Sequence, residues 1–402
     1  MSEETFVLKG IAPVRLRPGM YIGDTDIKGY HRLLEEIVEN SIQEAMAGYC
    51  DKISVTLQED DTLVIEDNGR GIPIEGFGDN GEPILQLIFT ELRAYKQYHE
   101  EGRKIRGGLH GVGLCPVNAL SELLIADSYY DGNHYRVSFA HGEPTSDLEN
   151  LGAETRHGTT ITIRPDRQIF GDDLHFSPQL IRNYLQKLAF LNPAIRFFLN
   201  NAITGKQTVF NYREGIIDWV QGINRRKIAL HDPIYASLTE NGNKAQVVFQ
   251  YHTGCKHTLK SFMNTIEMID ESDEIVGFYT GLASGIGVYM ESIGILSMEW
   301  KKLIGKGISE WLSYTSLAYP AEKAKELAKL ESTRLFERMR RGMTVIISVW
   351  MQSPQFGGCT RRLLRSPEMK KQVSVLVSEA FLQFCAQQPE TARELIRHIT
   401  GK

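Results

Sequence analysis

Glu36, Asn40, Gln43 and Glu44 stand 4, 3 and 1 residues apart in LLEEIVENSIQEAMAG, so on a helix they share one face. Two carboxylates and two amides so placed could take a proton, hold a cation or donate to an anion. A polar stripe on an amphipathic helix is just as ordinarily a solvated surface. A second group, Asp67-Asn68-Gly69-Arg70-Gly71-Ile72-Pro73, follows the strand-like VIED and puts a carboxylate at a strand end, although Asp-Asn-Gly is also common turn chemistry. A third is RKIRGGLHGVGLCPVNALSE, where Arg103, Lys104 and Arg106 lead through Gly107, Gly108, Gly111 and Gly113 into a helical pattern. Backbone N–H groups freed by glycines at a helix start form an anion site. The glycine spacing alone also resembles a dinucleotide fingerprint, but that reading needs a βαβ unit and a following acidic residue, and neither surrounds this loop.

Elements that could position these groups follow from periodicity. Leu33, Leu34, Ile37, Ile42 and Ala45 predict a helix from about His31 to Ala47, after an opening loop, RLRPGMYIGD. KISVTL and TLVIED, joined by QEDD, predict a hairpin. A helix over about 114–122 leads to strands near 123–128, 134–140 and 159–164. Long helix plus antiparallel strands is an α+β layer pattern. The character changes near NNAITGKQTVF, with strand-like AQVVFQYH and MTVIISVWM, helical AEKAKELAKLESTRLFERMRRG and a helix near 367–385. Domains are expected at 1–205 and 206–385, with a tail over 386–402.

With 42% apolar and 24% charged residues in 402, the chain can bury real cores. A net charge of −5 excludes a protein that coats nucleic acid, so any DNA contact must come from a local basic patch. Arg334, Arg338, Arg340, Arg341, Arg361, Arg362, Arg365, Lys370 and Lys371 supply one, or else a solvated helix surface. Cys50, Cys115, Cys255, Cys359 and Cys385 are scattered without a CxxC pair, which reads as reduced thiols in a cytoplasmic protein. No signal core and no 18-residue apolar run is visible, so no membrane partner is expected.

ENSIQEA, DNGRGIP and GGLHGVG, followed by HGTTITI, resemble in order and spacing the GHKL ATPase superfamily. Within it they are similar to the ATPase region of gyrase B and topoisomerase IV B, as are KGIAPVRLRPGMYIGDTD, AMAGYCDKISV and, in the second half, RGMTVIISVWMQSPQF. The resemblance spans about residues 6–385. It implies a GHKL sandwich of helices on a mixed, mostly antiparallel sheet, followed by a ribosomal-S5-like α/β transducer domain.

By the same resemblance, Glu36 matches the general base and Asn40 the residue that holds Mg²⁺. Asp67 matches the carboxylate that accepts from the adenine amino group, and Thr159 a hydroxyl beside that base. Glu44 and Arg70 are expected to pair at the pocket mouth, with Gly71 in the same turn. Ile37, Ile65, Ile72, Pro73, Ile88 and Ile161 would wall the purine, otherwise an ordinary core set. Lys104, Gly108, Leu109, His110, Gly111, Val112 and Gly113 form the triphosphate loop. Cys359-Thr360-Arg361 stands where the family has Gln-Thr-Lys, so Arg361 takes the place of the lysine that reaches the γ-phosphate.

The implied function is an ATP-binding and hydrolysing clamp module of a type IIA DNA topoisomerase. It would dimerise on ATP to capture double-stranded DNA, and it carries no DNA-cleaving residue itself. The sequence stops at ITGK, about where the family continues into a TOPRIM region that would meet a gyrase A or topoisomerase IV A-like subunit. The alternative is an ATP-sensing module with weak turnover that controls partner binding.

Overall fold

The computed structural model describes residues 10–74, 82–92, 113–298, 300–301, 331–358 and 361–401. The chain divides into two compact units, Met1–Arg213 and Glu214–Lys402.

In the first unit, the helix Ile27–Met46 starts where the Asp26 carboxylate accepts the Lys28 and Gly29 N–H groups at 2.7 and 3.3 Å. It buries Leu33, Leu34, Ile37, Val38 and Ile42, as the helical period predicts. The segment before it is two short helices, Ala12–Leu16 and Gly19–Ile22, rather than the expected loop. The hairpin forms as predicted, with β1 (Lys52–Leu57) antiparallel to β2 (Leu63–Asp67). Ile53, Val55, Leu57, Leu63 and Ile65 point inward by strict alternation. The expected helix over 114–122 is only Cys115–Ala119, because β3 (Ser121–Tyr130) begins at once. β4 (Asn133–Ala140), β5 (Glu143–Pro144), β6 (Glu149–Ala153) and β7 (Gly158–Pro165) follow. After the helix Pro178–Leu191, β8 (Arg196–Asn201) and β9 (Lys206–Phe210) close a nine-stranded sheet in the order β5-β4-β3-β7-β2-β1-β8-β9, with β6 against β4. Only the β1–β8 pair is parallel; the others are antiparallel, so the sheet is mixed as expected. The boundary expected at about 205 falls inside the β8–β9 hairpin. Pairing from Phe197–Phe210 to Asn201–Lys206 carries the first unit on to Arg213.

In the second unit, β10 (Ile234–Glu240), β11 (Asn243–Tyr251), β12 (Thr258–Met263), β13 (Ile266–Glu267) and β14 (Met343–Trp350) form a sheet in the order β10-β11-β14-β12-β13. β14 is buried at every position, as a central strand covered on both faces must be. The helices Asp273–Ser292 and Pro367–Gln387 pack tightly on each other beside the sheet. The tail expected over 386–402 is instead a helix, Pro389–Thr400, with Ala392, Leu395, Ile396 and Ile399 buried. Those four lie at i, i+3, i+4 and i+7, one helical face seeking a core. Of the expected helix over 321–342, Glu331–Arg340 lies among the described residues. Cys50, Cys115, Cys255 and Cys385 are free thiols. Among the described residues no helix is long and apolar enough to cross a membrane.

Candidate nucleotide site

The site grows from one departure from the strand pattern. β2 turns Leu63, Ile65 and Asp67 to the same inner side, so a carboxylate occupies a slot that alternation reserves for an apolar residue. Asp67 is 7% exposed. Burial lifts its carboxyl to about 6, although three donors pull it down. Asp67 Oδ1 accepts the N–H groups of Gly69 and Thr159 at 2.9 and 3.3 Å, and Oδ2 accepts the Ser41 hydroxyl at 2.8 Å. Oδ1 is thereby fully used, while Oδ2 keeps a lone pair for one further donor.

The helix Ile27–Met46 and β7 deliver those partners. Ser41 sits on the buried side of the helix next to Ile37 and Ile42. Thr159 is the second residue of β7, and Gly158, which opens the strand, has φ +121°. An added Cβ at Gly158 would stand 2.0 Å from Asp67 O, so only glycine lets the two segments meet. His157 Nδ1 lies 2.8 Å from Gly69 O and ties the same segments one residue earlier.

Glu36 is 1% exposed on the same helix, and Arg32 Nη2 reaches Glu36 Oε1 at 3.2 Å. Arg32 Nη1 also donates to Glu35 Oε2 at 2.7 Å. Burial alone would lower the charge on this guanidinium, but Glu36, Glu35 and Glu39 hold it positive. Asn40 Nδ2 donates to Glu36 O at 2.9 Å, which turns the amide oxygen away from the helix backbone. Among the described residues no three histidine, cysteine or carboxylate groups cluster to hold a metal. A lone amide oxygen suits Mg²⁺, which keeps several waters and takes its other ligands from substrate phosphates.

Glu44 and Arg70 pair as expected. Arg70 Nε and Nη2 donate to the two Glu44 oxygens at 2.9 and 2.8 Å, and the Arg70 N–H adds a third bond at 3.2 Å. The guanidinium also lies 3.9 Å from the centre of the Tyr49 ring. Gly71 leads to Ile72, whose carbonyl accepts the Ser128 hydroxyl at 2.7 Å. Ile37, Ile65 and Ile161 are 2%, 1% and 3% exposed, Pro73 is buried, and Ile72 and Ile88 are half-buried. A hollow of about 450 Å³ opens beside this turn, lined in part by Arg70, Tyr129, Arg156 and His157.

The structure thus joins Ser41, Asp67, Gly69 and Thr159 directly, and Glu44 with Arg70. Gly113, with φ +70°, is the one member of the expected triphosphate loop among the described residues. Lys104, Gly108, Leu109, His110, Gly111 and Val112 lie outside them, as do Cys359 and Thr360. Arg361 belongs to the second unit, in the segment between β14 and the helix Pro367–Gln387. Sequence reading missed Arg32, Ser41, His157 and Arg156. Arg32 was visible as the i−4 neighbour of Glu36, and Ser41 and His157 lie inside the motifs ENSIQEA and HGTTITI, whereas Arg156 had no signal in its spacing.

The family described as histidine kinase-, DNA gyrase B-, and HSP90-like ATPase matches residues 25–169, and that described as DNA gyrase B matches residues 315–402. DNA gyrase B of Thermotoga maritima is 34% identical over 99% of this chain, which spans 59% of that protein's length. The 43K ATPase domain of Thermus thermophilus gyrase B, solved with an aminocoumarin, superimposes with a TM-score of 0.76 at 28% identity, covering 98% of this chain and 94% of that one. The topoisomerase IV ATP-binding domain of Francisella tularensis, solved with a small-molecule inhibitor, gives a TM-score of 0.75 at 25% identity, covering 98% and 97%. Residues 25–169 carry a histidine kinase-, DNA gyrase B-, and HSP90-like ATPase domain, and over nearly its whole length the chain is similar to the ATPase regions of gyrase B and topoisomerase IV B.

Proposed function

We propose that this chain is the ATP-binding and ATP-hydrolysing module of a type IIA DNA topoisomerase. The observation that carries the proposal is Asp67, a carboxylate buried at an apolar strand position with Oδ2 left able to accept. An adenine amino group is the donor it fits, and Ser41 and Thr159 fix the carboxylate for it. A guanine keto group in that place would face acceptor with acceptor. Glu36, steered by Arg32, takes the proton of the water that attacks the terminal phosphate. Asn40 would hold Mg²⁺, which when bound neutralises charge on the phosphates. By the resemblance, Lys104, Gly108, Gly111 and Gly113 would be the phosphate-binding residues, and Arg361 stands in the sequence where the family has its cation for the terminal phosphate. On this reading two copies close on ATP around a DNA duplex, in an enzyme whose A-type subunit cuts the DNA.

Asp67→Asn tests the nucleotide assignment. Gly69 and Thr159 would keep Oδ1, so the new amide NH₂ would replace Oδ2 and meet the adenine amino group donor to donor. ATP affinity should fall about 10–100-fold, the cost of a mispaired buried polar group. Stability should move the other way. The carboxyl is raised from 3.8 unfolded to about 6 folded, so the folded state holds the proton more tightly. That contribution is fully present below about pH 4 and lost as pH rises through 6, a loss on the order of 3 kcal/mol by neutral pH. The asparagine variant should therefore melt higher than the parent above pH 6, with the advantage vanishing near pH 4. Unchanged ATP binding by calorimetry sinks the assignment.

A further inference from the structure

The helix Cys115–Ala119 is barely more than one turn, and its C-terminal end is tied to four other segments of the first unit. Arg15, in the helix Ala12–Leu16, donates from Nη1 to Ala119 O at 2.6 Å and from Nη2 to Asp166 Oδ2 at 2.7 Å. Asp166 follows β7, and its N–H donates to Leu120 O at 2.9 Å. Asn118 Nδ2 donates to Phe89 O in the helix Ile84–Thr90 at 3.0 Å, and to Gly142 O between β4 and β5 at 2.8 Å. Gly142 is pressed against the same end, since an added Cβ would lie 2.3 Å from Ile11 Cδ1 and 3.1 Å from Ala119 Cα.

So short a helix has too few internal bonds to hold itself, and its direction is set by what grips it. The grip is polar and buried. Asp166 is fully buried; burial acts to raise its carboxyl, but His141 and Arg15 pull it below the usual carboxylate range. Asn118 is fully buried too, and its Oδ1 has no partner among the described residues, so it serves through its two N–H groups. At the other end of the helix, two residues before Cys115, stands Gly113, where the expected triphosphate loop ends. Five helical residues rise only about 7 Å, so a tilt at Ala119 is carried to that loop.

We propose that Arg15 and Asn118 are positioning residues for the triphosphate of ATP. They touch no nucleotide; they fix the direction of the helix Cys115–Ala119, on which the loop ending at Gly113 hangs. The inference rests on the reading that the chain binds ATP, and adds the residues that aim its hold on the phosphates. None of these bonds involves Asp67, Ser41 or Thr159, so the adenine end is held separately.

The test is the binding of ATP with Mg²⁺, by calorimetry, and of adenosine, by ligand-observed NMR, to the whole chain. Arg15→Lys keeps the positive charge, and with it any long-range attraction for a triphosphate, but loses the fork that reaches Ala119 and Asp166 together. It should weaken ATP binding about 10-fold or more and leave adenosine within about 2-fold of the parent. Asn118→Ala should show the same split, and it decides the matter where Arg15→Lys does not fold. His141→Asn is the control. His141 Nδ1 lies 2.7 Å from the same Asp166 Oδ2 without a bond to the helix, and asparagine tolerates its φ of +51°. It should bind both ligands as the parent does. A folded Arg15→Lys or Asn118→Ala chain that binds ATP like the parent overturns the inference. So does an equal loss of ATP and adenosine, the mark of a merely structural role, or the same split in His141→Asn. A parent chain that binds ATP no more tightly than adenosine overturns the triphosphate reading itself.

Discussion

Glu36→Gln is expected to lower ATP turnover by about 10²–10⁴-fold while leaving ATP affinity within a few-fold of the parent. The change keeps the shape of a side chain that is 1% exposed, and replaces a carboxylate able to take a proton by an amide that cannot. Its effect should fall on the rate because Glu36 acts on the attacking water, whereas adenine is held at Asp67 by Ser41, Gly69 and Thr159. Arg32→Lys should produce a smaller loss in the same direction. It keeps a positive charge but removes the fork that reaches Glu35 at 2.7 Å and Glu36 at 3.2 Å together. Steady-state turnover beside equilibrium binding separates the clamp enzyme from the nucleotide sensor. Tight ATP binding with turnover indifferent to Glu36 would select the sensor.

The half of the site that lies on one helix was legible in the sequence, because a period of 3.6 places Glu36, Asn40 and Glu44 on one face without help from the rest of the chain. Asp67 was legible as a strand-end acid. What it does depended on partners 26 and 92 residues away, Ser41 and Thr159, which no periodicity relates to it. Only the motif resemblance brought the HGTTITI strand into the site, and it did so without the Gly158 contact that explains why that strand begins with glycine. The domain boundary was misplaced by a hairpin, since β8 and β9 pair locally and a change in sequence character at 205 says nothing about pairing. The last helix was missed although Ala392, Leu395, Ile396 and Ile399 carry its period; twelve residues is close to the length at which a helix needs a partner surface to form.

Gly281→Ala is expected to destabilise the second unit by at least about 3 kcal/mol, the upper range for overpacking a core. Gly277, Gly281 and Gly285 recur every fourth residue on the helix Asp273–Ser292, so they form one ridge. Added Cβ atoms there would lie 2.5 Å from Lys370 O, 2.2 Å from Ser374 O and 3.2 Å from Ser378 O, three carbonyls at the same spacing on the helix Pro367–Gln387. At Gly281 the obstacle is backbone, with Ser374 C and Cα also at 2.9 Å, so no side chain can swing aside. The helices would have to part along their length and loosen the fully buried Phe278, Leu282, Val373 and Val377 between them. The sign of the effect makes the test sharp. In an open helix alanine is favoured over glycine by about 0.8–1 kcal/mol, so helix propensity alone predicts a gain. Gly222, within Ile216–Asn224, has nothing within 4 Å of an added Cβ, and Gly222→Ala should show that gain. Thermal and urea unfolding of both variants, followed through the transition of the second unit, should move in opposite directions. A Gly281→Ala chain that melts at or above the parent would mean that the two helices do not touch through their backbones.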